Sequence, residues 1–230
     1  MLPSLRSAVL DANRALGDRG LAPFTFGNAS AIDRARGLVV IKPSGVPYDV
    51  MRAEDMVITD LHGTVVDGTL RPSSDLPTHL ALYRAFETIG GVVHTHSHFA
   101  TAWAQARREI PCFGTTHADY FHGSIPVTDD LTAEEIAADY EAMTGQAIVR
   151  RLAGLDPLAM PAVLVASHAS FCWGRTVEDA VHTASVLEEV ARMAYHTLTI
   201  EADAQAIGAA LHDKHFLRKH GPGAYYGQKK

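Results

Sequence analysis

The sequence predicts a single α/β domain, residues 1–230, in which a mainly antiparallel sheet lies between helices. Three observations predict it. Short β-branched runs at 38–41 and 56–61 are bounded by turn residues, as strands are. The second run is followed by the turn 60–63 and a returning Thr64-Val65-Val66, the pattern of a hairpin. Apolar residues recur at helical spacing over 5–16 and 178–198, and no repeat, linker or low-complexity block interrupts the chain. A length of 230 residues is enough for one domain with a well-filled core.

In chain order, Leu5, Val9, Ala12 and Leu16 form the apolar stripe of a first helix behind Ser4, a suitable N-cap. Residues 24–30 alternate weakly and end in the turn-prone pair Gly27-Asn28. The strand 38–41 stops at Lys42-Pro43-Ser44-Gly45, and the hairpin follows. Pro77 opens a helix that runs to Phe86; Gly90-Gly91 breaks it, and 92–96 is extended. Residues 101–106 read as helix, 110–113 and 125–127 as short strands. Thr132 and Glu135 stand at capping-box spacing and open a helix to about Tyr140, with another over 145–152. The strand 162–166 leads to Ser167-His168, 178–198 is the longest helix, and 207–218 is helical ahead of an irregular tail.

Composition narrows the function. The chain is 47% hydrophobic and 20% charged with a net charge of −6, so no basic face exists for nucleic acid and no cationic stripe for a membrane. No apolar run reaches bilayer length and the N-terminus lacks a secretory pattern, so the expected location is cytoplasmic. Cys112 and Cys172 form no Cys-x-x-Cys pair, which speaks against a disulfide framework and a thiolate zinc site. Thirteen histidines remain as the unusual feature.

Their densest run is Val92-Val93-His94-Thr95-His96-Ser97-His98. Side chains alternate on a strand, so His94 and His96 share a face and can grip one metal ion. Catalytic zinc commonly takes three protein ligands and keeps an open position. His168, just past a strand, is the best third ligand; His98, His117 and His122 are rivals, and His98 is expected to turn away where a helix begins. By itself a His-x-His pair is equally well a solvated strand face. Two turns suit an anion: Lys42-Pro43-Ser44-Gly45 and Pro72-Ser73-Ser74-Asp75, the latter opening a helix, with Gly27-Asn28 able to add an amide and a carboxamide. Neither a P-loop nor Gly-x-Gly-x-x-Gly is present.

Six stretches carry a resemblance: GNASAIDR (27–34), VIKPSGVPYDVM (40–51), PSSDLPTHLALY (72–83), GGVVHTHSHFATAWAQA (90–106), GTTHADYFHGSIP (114–126) and KHFLRKHGPGAYYGQ (214–228). Together they span the chain, which resembles the class II aldolase and L-ribulose-5-phosphate 4-epimerase family, its epimerase branch most nearly. The resemblance implies a central antiparallel sheet flanked by helices and a four-fold symmetric homotetramer with active sites at subunit interfaces. It implies a zinc ion, replaceable by Mn2+ or Co2+, on His94, His96 and His168, with Asp75 as carboxylate partner of the metal. A sugar-phosphate substrate would lie among Gly27, Asn28, Lys42, Ser44, Gly45, Ser73, Ser74, Asp75, Thr115 and Thr116. Asp119 and Tyr226 would be the acid/base pair, reaching in with His215 from a neighbouring subunit.

One motif departs from the family. Where its epimerases have His-Gly-Pro-Phe-Ala-Trp-Gly, this chain has His168-Ala169-Ser170-Phe171-Cys172-Trp173-Gly174, so the loop behind the third ligand is expected to differ. Cys172 reads as a small buried residue rather than a nucleophile. Two other functions share these features: a sugar-phosphate aldolase of the L-fuculose-1-phosphate type, and a zinc-binding protein that keeps the fold without catalysis. Asp75, Asp119 and the Tyr225-Tyr226 tail favour the epimerase.

Overall fold

A computed structural model describes residues 1–228. Its strands are β1 (Gly27–Asp33), β2 (Leu38–Ile41), β3 (Val57–Asp60), β4 (Val65–Asp67), β5 (Gly91–Thr95), β6 (Ala162–Leu164) and β7 (Ser170–Gly174). They form one seven-stranded sheet in the order β4-β3-β2-β1-β5-β7-β6, every pair antiparallel. The helices are α1 (Pro3–Asp18), α2 (Leu76–Ala85), α3 (His98–Gln105), α4 (Thr115–Ala118), α5 (Ala133–Arg151), α6 (Val177–Ile200) and α7 (Ala209–His220).

The expected α/β architecture is therefore present, and its local devices are identifiable. A buried Asn13 on α1 acts as a two-way clamp on β1: its amide donates to Ala29 O at 3.1 Å and its carbonyl accepts from Ala29 N at 2.8 Å. Thr132 and Glu135 form the capping box that starts α5, and Thr176 and Asp179 form another at the start of α6. Behind the sheet, α6 buries Val177, Val181, Ala184, Leu187, Val190 and Ala191. That helix also supplies Glu188, whose carboxylate accepts from Phe99 N at 2.8 Å and Ala100 N at 2.9 Å. A negative group on the free amides of a helix N-terminus stabilises it, so Glu188 fixes where α3 begins.

Several sequence expectations change in the structure. Gly27-Asn28 is not a turn: it starts β1, which pairs with β2 on one side and β5 on the other. Ladder pairing of this dipeptide with Thr95 and His94 of β5 overrides the weak local pattern. The unexpected β7 occupies the stretch read as a loop behind His168 and pairs along the whole of β5. Ile110 and Ile125 meet in one isolated bridge instead of two strands. The short helix α4 was not expected, and the two helices at 132–140 and 145–152 are one helix kinked at Asp139 (φ −163°, ψ 91°).

Two glycines let α6 approach the sheet. A Cβ on Gly91 would collide with the Val177 backbone, and one on Gly174 with Asp179. Gly91→Ala is therefore expected to lower unfolding free energy by about 1–3 kcal/mol, the usual penalty for overpacking. Urea unfolding of the variant beside the parent checks this; an unchanged midpoint would show that α6 yields freely.

Candidate active site

The site begins with the register of β5. Asn28 on β1 is opposite His94, and Phe171 on β7 is opposite it on the other side. The same pairing brings His94 Nδ1 to Ser170 O at 2.9 Å, so Nδ1 carries the proton and Nε2 keeps its lone pair. That Nε2 stands 3.1 Å from His96 Nε2. His168 follows Ser167, whose φ of 60° turns the chain after β6, and its ring lies 4.9 Å from both other rings. One nitrogen from each of the three lies within 4.8 Å of the others.

These donors fit a divalent metal on chemical grounds. Two imidazole nitrogens that face each other at 3.1 Å are satisfied either by one shared proton or by a common cation. Burial pushes His96 and His168 down to about 4, with His94 adding to the effect, and burial also lowers His94. All three are thus neutral near pH 7, the form that binds metal. His98 starts α3 and turns away as expected, stacking edge-on against Phe99.

Asp75 is beside this triad without belonging to its cluster of mutually close ligand atoms. It occupies the N-cap position of α2, yet its side chain caps no helix amide. Instead Oδ2 accepts from Asn28 Nδ2 at 2.6 Å. Burial opposes its ionisation, but neighbouring His94 and His79 and the Asn28 amide outweigh that and hold the carboxyl below its usual range. Among the described residues the buried Asn28 Oδ1 has no partner, an acceptor that a bound hydroxyl could satisfy.

The two anion-type turns lie side by side. Ser44 N donates to Arg71 O at 3.0 Å, Ser73 N donates to Lys42 O at 2.9 Å, and Pro43 bridges Pro72. Gly45 has a φ of 71°, a left-handed conformation that suits glycine. Lys42 is only 3% exposed and, among the described residues, donates just one hydrogen bond, to Pro43 O, with its ammonium over the Tyr48 ring. Tyr48 in turn donates to Gly27 O at 2.7 Å. Ser73 is buried, while Ser44, Gly45 and Ser74 are exposed.

Asp119, Tyr226 and His215 form a separate group. Asp119 follows α4, which carries Thr115 and Thr116. Its carboxylate accepts from Arg218 Nε at 2.9 Å and Nη2 at 2.6 Å, and from His215 Nδ1 at 3.0 Å; Lys219 is 3.5 Å away. Burial works against this charge, but the Arg218 and His215 hydrogen bonds and Lys219 keep the carboxyl below its usual range. Tyr226 is 62% exposed and lies under Lys219 and Arg218, whose cations are 4.4 and 5.0 Å from its ring. Among the described residues no hydrogen bond or ring contact joins this group to the triad.

Three further histidines are explained without a ligand. His117 is buried and bonded to Gly123 O at 2.8 Å. His122, His212 and Asp213 are close enough together to suggest a metal. However, backbone groups occupy His212 Nε2, with Gly123 N at 3.0 Å and Phe121 O at 3.1 Å, and His122 Nε2 already meets Asp213 at 3.2 Å. Sequence reading missed Tyr140, which meets His168 Nδ1 at 3.3 Å, and Arg218. It also missed His79, one turn after Asp75 on α2, bonded through Nδ1 to Ser30 Oγ at 2.7 Å. The Asp75/His79 spacing of four is the signal that could have revealed it.

The departure after His168 is absorbed locally. Neither Ala169 nor Ser170 needs a positive φ, and Ser170 supplies both the His94 acceptor and a hydroxyl contact with Thr95 at 3.3 Å. Cys172 is fully buried on β7, and burial raises its thiol pKa, as befits an inert residue.

The sequence profile described as class II aldolase and adducin N-terminal domain matches residues 7–195. Among solved structures, an L-fuculose 1-phosphate aldolase superposes with a TM-score of 0.78 at 23% identity, over 92% of this chain and 94% of its own. YgbL from Klebsiella pneumoniae, which bears the undecided label aldolase/epimerase/decarboxylase, gives 0.73 at 25% identity over 92% and 97%. The L-fuculose-1-phosphate aldolase of Thermus thermophilus gives 0.67 at 22% identity over 88% and 98%.

Burial pushes His79 down to about 3, well below the 6.5 of an unfolded histidine. A lowered histidine stabilises the fold above the unfolded value and loses that contribution as pH falls below 6.5, by up to about 1.4 kcal/mol per pH unit. His79→Gln is expected to flatten this acid limb in unfolding curves taken from pH 7 to pH 5. An unchanged slope would mean that other groups carry it.

Proposed function

This chain belongs to the class II aldolase and adducin N-terminal domain family, and from that premise we propose that it is a zinc-dependent L-ribulose-5-phosphate 4-epimerase. The reading rests on one observation above all: three neutral imidazoles converge beside Asp75 and Asn28. Zinc, or Mn2+ or Co2+ in its place, held by His94, His96 and His168, supplies a Lewis acid for a ketose carbonyl. The Lys42–Gly45 and Ser73–Ser74 turns, with Asn28, bind the substrate phosphate. Lys42 is a buried cation with one hydrogen bond, suited to a phosphate oxygen. Asp75 fixes Asn28 and adds its charge beside the metal.

The chain's acid/base groups work at C4. Removal of the C4 hydroxyl proton lets the C3–C4 electron pair move to C3 and be delocalised over the C2 carbonyl, releasing glycolaldehyde phosphate. The aldehyde turns over, C3 attacks its other face, and the new C4 alkoxide takes a proton. Product is D-xylulose 5-phosphate, with no net gain or loss of atoms. Two opposed groups suit this exchange better than one. Asp119, held as a carboxylate by Arg218 and His215, is the base in one direction; Tyr226 is the acid. Among the described residues no hydrogen bond or ring contact joins the Asp119 group to the triad of its own chain, and in this reading a second copy completes each site, in a C4 homotetramer placed in the cytoplasm.

The second reading is an aldolase that releases its fragments, favoured by the fuculose aldolase superpositions. Asp75 in the serine turn, Asp119 and the Tyr225-Tyr226 tail support the epimerase. Metal-loaded protein is expected to interconvert L-ribulose 5-phosphate and D-xylulose 5-phosphate in a coupled assay. Cleavage of L-fuculose 1-phosphate without epimerisation would reject this choice. Asp119→Asn should lose about 10²–10⁴-fold in kcat, the usual worth of a general acid or base, while metal analysis finds its ion content unchanged. Loss of the ion with the activity would place Asp119 in the wrong role.

A further inference from the structure

His94 is oriented by the Ser170 carbonyl inside the sheet, but His168 has no such support. It sits on the turn between β6 and β7, and its ring has a single hydrogen-bond partner among the described residues, the Tyr140 hydroxyl at 3.3 Å from Nδ1. The two rings lie 6.0 Å apart. Tyr140 belongs to α5, a helix whose main neighbour is α2 rather than the sheet, so its arrival there has to be built.

Three devices build it. The helix breaks at Asp139, and the Asp139 carboxylate accepts from Ala142 N at 3.1 Å, making Asp139 the cap of a new helical segment that starts with Tyr140. This segment docks on α2 through Thr78 Oγ1, which donates to Glu141 O at 2.6 Å. It packs there without a side chain in the way: a Cβ on Gly145 would be 2.6 Å from Ala81 Cβ and 3.2 Å from Thr78 Cα. The same helix α2 carries Asp75 at its N-cap. One helix–helix contact therefore sets both Asp75 and Tyr140 against the histidines.

We infer that Tyr140 is a positioning residue for the metal centre, its hydroxyl holding the His168 ring by Nδ1 so that Nε2 is the nitrogen offered to the ion. This deepens the reading above and rests on its metal triad. With Nε2 on a metal, Nδ1 carries the proton and donates to the phenol oxygen, and such outer partners set ring orientation and ligand basicity. The residue is 37% exposed, so deleting its hydroxyl removes the hydrogen bond while leaving the core intact.

The test uses full-length Tyr140→Phe beside the parent. Zinc affinity measured by chelator competition is expected to fall about tenfold, the low end for loss of an outer-shell partner. The visible bands of the Co2+-substituted protein should shift, kcat should fall at unchanged KM, and the metal-free proteins should unfold at the same temperature. Parental zinc affinity and an identical Co2+ spectrum would overturn the inference, as would a drop in metal-free stability large enough to account for the weaker binding. His168→Ala separates the two levels: if it binds zinc as the parent does, the triad reading itself fails and this inference with it. Weak binding in His168→Ala but parental binding in Tyr140→Phe would leave the metal centre standing and remove Tyr140 from it.

Discussion

The register of β5 between β1 and β7 is the constraint on which everything else depends. It places His94 between Asn28 and Phe171, and it brings the Ser170 carbonyl to His94 Nδ1. Because side chains alternate along a strand, a slip of one residue would turn His94 and His96 to the opposite face and leave Asn28 facing a different partner. A central strand paired along both edges cannot slip without breaking two ladders. The histidine triad inherits that rigidity.

The helices then bring in what the sheet cannot supply. Glu188, from α6, caps α3 and so starts that helix at His98, two residues beyond His96. Helix α2 delivers Asp75 and, through its close contact with α5, Tyr140. The cost is local: an N-cap aspartate that caps nothing, a break in α5 and a left-handed Ser167. Such departures from local preference gather at functional sites, where neighbouring structure enforces them. The separate Asp119 group follows another logic. Its carboxylate is clamped by His215, Arg218 and Lys219 of α7, which ties the C-terminal helix to α4.

Much of this was legible in the residues. The hairpin residues 56–66, the α1 stripe and the Thr132/Glu135 capping box all have local causes, and the structure keeps them. The pairing of His94 with His96 follows from strand alternation, and the anion-type turns follow from Pro, Ser and Gly spacing. What escaped has non-local causes. Strand β7 spans Ser170–Gly174, a run that ends in Gly and follows Ser167-His168 without a turn signal, and it is extended because β5 and β6 pair with it. Gly27-Asn28 reads as a turn until it pairs with Thr95 and His94 of β5.

By itself the sequence determined the fold class and most of its elements, which histidines share a strand face, and the family whose profile the chain matches, because each depends on neighbours a few residues away or on matching motifs in order. Only the tertiary structure decided that His168 joins His94 and His96 while His98, His117 and His122 do not. It also decided that Asp75 turns to Asn28 and that Tyr140 reaches His168. Those contacts join residues tens of positions apart, and their existence depends on strand register and helix docking, which no local pattern encodes.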